Sequence, residues 1–322
     1  MPNMPPIYFG PITPQPSWAW VGEDIAKYLS KSIDVRYFTD VADIDEGSLV
    51  FWIKCPPDAV STEEIRLKEL NIVFFPVDAF LNQEDILTHR EFINNATLIC
   101  LHARSLASFF RRDKVEFVDH YNKYGVPIAE RRPDGRTLLW IGGFQYVPYV
   151  LCALDQINWP RESIVLLTNH LHGPAKSAAE DNAVFAGLSD FSRILADSKI
   201  QLALWSEDRQ REALLTCAAA FDVKYINCFN QLHKPPTKIQ KYLVSGIPCA
   251  INHDFPATQQ VEGLMRIKEL RTDLLPRHET WRSSAYRALL SKRLRIDSVS
   301  RRYIEFAVKA VSRKKDLAHV LA

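Results

Sequence analysis

The chain has 322 residues, 47% of them hydrophobic and 24% charged, with a formal net charge of +2. That length is comfortable for two domains, that balance excludes a disordered chain, and so small a net charge carries no nucleic-acid signature. Six cysteines (Cys55, Cys100, Cys152, Cys217, Cys228, Cys249) stand singly without metal-ligand spacing. They read as reduced, mostly buried thiols in a cytoplasmic protein. The opening "MPNMPPIYFGPITPQPSW" has no basic start followed by an apolar stretch and does not read as a signal peptide. No window approaches the roughly 18 uncharged apolar residues that a membrane span needs.

In chain order, the first half predicts strands at "IYF" (7–9), "VRYF" (35–38), "LVFWI" (49–53), "IVFFPV" (72–77), "TLICL" (97–101) and "VEFV" (115–118). Helical patterns separate several of them, as in "WVGEDIAKYLSK" and "TEEIRLKELN". Near-continuous apolar strands alternating with helices predict a parallel sheet covered on both faces. The polar break "RRPDGR" (131–136) is the expected domain boundary, and the alternation then restarts. Strands are predicted at "TLLWI" (137–141), "SIVLL" (163–167), "IQLALW" (200–205), "VKYIN" (223–227) and "PCAIN" (248–252). The tail "SVSRRYIEFAVKAVSRKKDL" is a basic amphipathic helix, which either packs on the fold or touches a membrane surface. The expected layout is an N-terminal domain over 1–133, a C-terminal domain over 134–294 and a final helix over 295–322.

Open parallel sheets bind ligands beyond the carboxyl ends of their strands. In the first half those ends carry Gly10, Asp40, Lys54, Asp78, His102, Asp119 and His120. In the second they carry Gly142, Gly143, Asn169, His170, Trp205, Ser206, Asn227, Asn252, His253 and Asp254. The stretch "KPPTKIQKYLVSGIPCAIN" (234–252) adds a charge anomaly. Pro235 and Pro236 bring the chain in extended, Thr237 is placed to cap a helix, and Lys238 falls in its first turn. A helix start favours anions, yet Lys234, Lys238 and Lys241 flank this one. Either something anionic binds there, most suitably phosphate, or the lysines snorkel into water. Gly142-Gly143 is a turn or a loop that lets a bound group approach the backbone; it is no Gly-x-Gly-x-x-Gly fingerprint. Trp205-Ser206 either stacks and bonds a nucleobase or is structural.

The run "TKIQKYLVSGIPCAIN" matches the pattern Lys-x-x-Glu-Tyr-x-x-x-Gly-x-Pro at Lys238, Tyr242, Gly246 and Pro248. "AAAFDVKYINC" (218–228) looks like a small-residue helix end followed by an Asp-containing strand, with Asp222 in the usual place. "LLWIGG" looks like the strand and glycine loop that open a donor domain, and "WVGEDIAKYLSKSIDVRYF" like an opening helix and second strand. On these motifs, spread over nearly the whole chain, the sequence resembles the GT-B glycosyltransferases. The resemblance implies two Rossmann-like doubly wound parallel-sheet α/β domains facing each other across a cleft, the second holding a nucleotide-sugar donor and the first an acceptor. Two departures stand out. His233 and Lys241 occupy the positions of paired glutamates, and the glycine loop lacks its usual Arg.

Carried over, the resemblance implies metal-independent glycosyl transfer from a nucleoside-diphosphate sugar, UDP or GDP foremost, to a saccharide or lipid-linked hydroxyl. Lys238 and Thr237 would stabilise the departing diphosphate, with Lys234, Gly142, Gly143 and Asn169 on the donor side and Trp205-Ser206 facing the base. Asp78 would act as base toward the acceptor, with His102 and His120 as secondary candidates. No cofactor beyond the co-substrate is expected, and no nucleic acid; peripheral contact with the inner membrane face and a role in polysaccharide biosynthesis belong to the same reading. A non-catalytic binding or regulatory subunit and a nucleotide-sugar epimerase are the alternatives.

Overall fold

A computed structural model describes residues 6–169, 196–224, 228–252, 261, 264–271 and 284–321. The chain divides into two units. The first comprises residues 1–121, 233–235 and 292–322, and the second residues 122–232 and 236–291.

The first unit holds six parallel strands, β1 (Ile7–Gly10), β2 (Val35–Tyr37), β3 (Leu49–Ile53), β4 (Asn71–Phe75), β5 (Leu98–Leu101) and β6 (Val115–Phe117), in the order β2-β1-β3-β4-β5-β6. Every residue of β1, β3, β4 and β5 is buried, as the unbroken apolar runs require of strands covered on both faces. The C-terminal helix Ile296–Leu321 closes this unit. Tyr303 stacks on Phe75 with ring centroids 4.6 Å apart and donates its hydroxyl to the Val21 carbonyl at 3.0 Å. Several of the helix's basic side chains are engaged within the unit. Arg302 and Lys309 pair with Glu116, and Arg313 donates to the carbonyls of Thr97 and Asp113. No helix among the described residues is long and apolar enough to cross a membrane.

The second unit holds β7 (Leu138–Gly142), β8 (Ile164–Thr168), β9 (Gln201–Leu204), β10 (Ala219–Asp222), β11 (Cys249–Ile251) and β12 (Met265–Arg266), in the order β12-β11-β10-β7-β8-β9. The order reverses at β7, whose neighbours are β8 on one side and β10 on the other. Both sheets are thus parallel and doubly wound.

Two differences from the predicted layout have identifiable causes. The units divide between Tyr121 and Asn122, ahead of the expected 133/134 boundary, because the intervening segment is bonded into the second unit. Val126 N–H donates to Ser245 Oγ at 3.0 Å, Arg132 N–H to the Leu215 carbonyl at 2.9 Å, and the Arg131 guanidinium to the Leu214, Cys217 and Gly246 carbonyls. Strand β10 begins at Ala219, inside a run that reads as helix by propensity. Sandwiched between β7 and β11, its small residues are completely buried, and tertiary pairing overrides local preference.

Candidate functional site

In the second unit, the switch point lies between the carboxyl ends of β7 and β10. There Asp222, the last residue of β10, is buried, and its carboxylate takes Lys238 Nζ at 2.6 Å and Lys224 Nζ at 3.3 Å. Burial pushes the Asp222 carboxyl up, but Lys224 and Lys238 outweigh it and hold the group below its ordinary value. These three groups together carry one net positive charge. The Lys238 ammonium also lies 4.9 Å from the centroid of the Trp140 ring, a cation–π contact. Trp140 folds over Gly142, where a Cβ would stand 2.3 Å from the indole, so only glycine fits at the end of β7. Gly143 begins the turn Phe144–Tyr146, and Phe144 N–H donates to Asn169 Oδ1 at 2.9 Å. Asn169 therefore anchors the glycine loop to the end of β8.

The helix Thr237–Val244 starts one residue earlier than expected. Pro236 occupies the N-cap position, its carbonyl accepting from Gln240 N–H at 2.9 Å, and no side chain caps it. Thr237 is the first helical residue rather than the cap, with Lys238 beside it in the first turn. The buried Asp222 offsets the lysine at the positive end of the helix.

Ser206 caps the helix Glu207–Thr216, its Oγ accepting from Arg209 N–H at 3.2 Å. Trp205 donates its indole N–H to Gln210 Oε1 at 3.0 Å and meets Tyr124 edge-on. The polar atoms of both residues are thus engaged within the unit. Lys241 is buried, 5.2 Å from the Tyr124 ring centroid and 3.3 Å from Gln210 Oε1.

The first unit carries a second cluster. Asp78 follows β4 and pairs with Lys54 at 2.8 Å and Lys234 at 3.6 Å. Lys234, expected on the donor side, pairs with Asp78 in the first unit, with which the turn 233–235 groups. The same turn sets His233 Nδ1 2.9 Å from Ser105 Oγ. Two left-handed residues shape the cluster, Lys54 at φ 65° and Val77 at φ 56°. A β-branched residue in that region is a genuine outlier, held only by over-determining packing. His102 and His120 stack with ring centroids 4.1 Å apart. Burial, then the neighbouring His120, hold His102 well below its ordinary value; burial brings His120 down to about 4 against the pull of Asp78. Burial raises Asp78, but Lys234, Lys54 and His120 together hold it below the usual carboxylate range. The three candidates Asp78, His102 and His120 are therefore brought together, with both imidazoles neutral at pH 7.

Sequence reasoning did not single out Lys224, Gln210 or Tyr124. The signal for Lys224 was its place two residues after Asp222, which becomes a rim position once β10 ends at Asp222. Of the other rim residues expected, His170, Asn227, His253 and Asp254 lie outside the described residues.

Solved structures share this architecture. HepE of Anabaena, in complex with UDP, matches at 13% identity over 94% of this chain and 99% of that one, with a TM-score of 0.59. AviGT4, a glycosyltransferase involved in avilamycin A biosynthesis, matches at 11% identity over 95% and 97%, with a TM-score of 0.50. The fold is that of the GT-B glycosyltransferases. A trehalose 6-phosphate synthase from Burkholderia multivorans has it too, at 9% identity over 91% of this chain and 74% of that one, with a TM-score of 0.52. At these identities the likeness is one of fold. No family model matches the sequence, and no curated protein does.

Proposed function

We propose that the chain is a glycosyltransferase that moves a sugar from a nucleoside-diphosphate sugar to a saccharide or lipid-linked hydroxyl. The observation that carries this reading is the cationic group at the switch point of the second unit, where Lys224 and Lys238 share Asp222 beside Gly142-Gly143. The net positive charge there, a helix N-terminus and a glycine loop suit a diphosphate. Lys238 and the first turn of its helix would stabilise negative charge on the departing diphosphate without a metal, since the lysines already supply the counter-charge. In the first unit, Asp78 would accept the acceptor hydroxyl's proton, and its ion pairs keep it in the ionised form that a base needs. A cytoplasmic setting fits the six free cysteines.

A second reading, a non-catalytic binding subunit, is favoured by Lys241 in a glutamate position and by the two lysines on Asp78, which weaken it as a base. Thermal unfolding against UDP, GDP, CDP, ADP and dTDP, with Lys238→Ala in parallel, tests both. A ligand at 100 times its dissociation constant adds about 2.7 kcal/mol, a rise of several degrees. One nucleotide should stabilise the wild type, with the shift lost in Lys238→Ala, and the matching nucleotide sugar should be slowly hydrolysed. Binding without hydrolysis selects the second reading; no shift with any nucleotide overturns the first.

A further inference from the structure

Lys241 is an ammonium that the second unit buries beside the Gln210 amide and the Tyr124 ring. Gln210, also buried, accepts at Oε1 from both Lys241 Nζ and Trp205 Nε1. The Trp205 indole can only donate, as can Lys241 in its ammonium form, so the network fixes the orientation of the amide and leaves its Nε2 as a donor. That Nε2 is buried without a hydrogen-bond partner among the described residues. An unmade bond of this kind is costly until an acceptor arrives. Lys238 stands three residues before Lys241 on the same helix, and through Asp222 it is joined to Lys224. From the neighbouring elements, Lys241 is faced by Gln210, by Trp205 bonded to that amide, and by Tyr124. The Tyr124 hydroxyl donates to Glu207 at 3.0 Å, and Lys123 lies 5.7 Å from its ring centroid. Burial, then Lys238, bring the Lys241 ammonium down to about 7.

We propose that Lys241 and Gln210 form a proton-linked anion receptor in the second unit, taking phosphate oxygens of a nucleoside diphosphate. A carboxylate in the place of Lys241 would seek sugar hydroxyls. An ammonium and an amide N–H instead require a ligand that supplies acceptors and negative charge. An anion beside the ammonium favours its charged form, so the site takes up a proton as the ligand binds near neutral pH. The identity of the ligand rests on the nucleotide-sugar reading; the receptor chemistry does not, and inorganic pyrophosphate is a sufficient probe.

The test is calorimetric titration of the full chain with pyrophosphate and with UDP, in buffers of differing ionisation enthalpy, for wild type, Lys241→Arg and Lys241→Gln. The wild type should take up a fraction of a proton more than Lys241→Arg; the ligand's own protons are common to both and cancel. Wild-type affinity should fall roughly tenfold from about pH 6 to about pH 8.5 relative to Lys241→Arg, and Lys241→Gln should bind weakly throughout. Equal proton counts in wild type and Lys241→Arg, unimpaired binding by Lys241→Gln, or no binding of pyrophosphate by the wild type would each overturn the receptor. If UDP binds without a proton difference, the receptor falls and the nucleotide reading stands. If pyrophosphate binds with one and no nucleotide does, the receptor stands and the nucleotide reading falls.

Discussion

Each unit carries, at or just past the end of a central strand, a carboxylate shared between two lysines, but the two are built differently. Asp222 is a closed one. Its side chain is 2% exposed, and its lysines come from residue 224, two positions on, and residue 238, sixteen positions on, within the same unit. Asp78 is less enclosed, at 17%, and its partners Lys54 and Lys234 are far apart in sequence. It also follows a strained Val77, whereas no residue of β10 has positive φ. On the proposed function, the closed trio would be a fixed positive base plate for a ligand. The less enclosed and strained Asp78 would place a carboxylate where an incoming group can compete for the lysines. On that reading, the same charges would serve binding in one unit and chemistry in the other.

Removing the carboxylates should separate the two most sharply. Asp222→Ala leaves Lys224 buried without its counter-charge and should cost about 3–5 kcal/mol in urea unfolding. Asp78→Ala, partly open to water, should cost only about 1–2 kcal/mol while abolishing transfer. Equal losses would mean that the two clusters are not different devices.

Acid sharpens the contrast. His102 and His120 have folded-state values below the ordinary 6.5, so their contribution to stability is complete above 6.5 and is lost as pH falls toward about 4. Asp78 and Asp222 contribute fully above their ordinary 3.8 and lose that contribution only below it. Stability followed from pH 7 to pH 4 should therefore fall in wild type, and His120→Phe should flatten that limb while Asp222→Asn should not. Lys241 works in a higher window. Its folded-state value of about 7 against 10.5 means a contribution complete above 10.5 and lost as pH falls through 7, so Lys241→Met should remove a rise in stability between those values. The smallest effect concerns strain. Lys54→Gly and Lys54→Ala both lose the ammonium, but only alanine keeps a Cβ at φ 65°, so the glycine variant should be more stable by up to about 1 kcal/mol.

Much of this molecule could be read before it was seen. The apolar runs "LVFWI" and "TLICL" gave away buried parallel strands because nothing else buries both faces of so short a segment. The rim rule selected Asp78, His102 and His120, which do meet, because strand ends are fixed by the sheet. What escaped was whatever depends on partners distant in sequence. The run "CAAAF" reads as helix until β7 and β11 enclose it, and that misplacement hid Lys224. Lys234 lies four residues from Lys238 in sequence, yet it belongs with Asp78, a grouping no local pattern encodes. Thr237 lost the cap position to Pro236, since the first intrahelical bond, and not the better capping side chain, decides where a helix starts.

The return of the last helix to the first unit bears on how the protein is made. A ribosome releases β1 to β6 long before Tyr303, whose ring completes the layer over Phe75. The half synthesised first must therefore wait, with its apolar face uncovered, while the half synthesised second has all its strands in hand. The usual order of domain folding during synthesis, N-terminal part first, should be inverted. A chain cut back to Arg295 should show a protease-resistant second unit and a digestible first one, and adding the helix Ile296–Leu321 should make the first resistant.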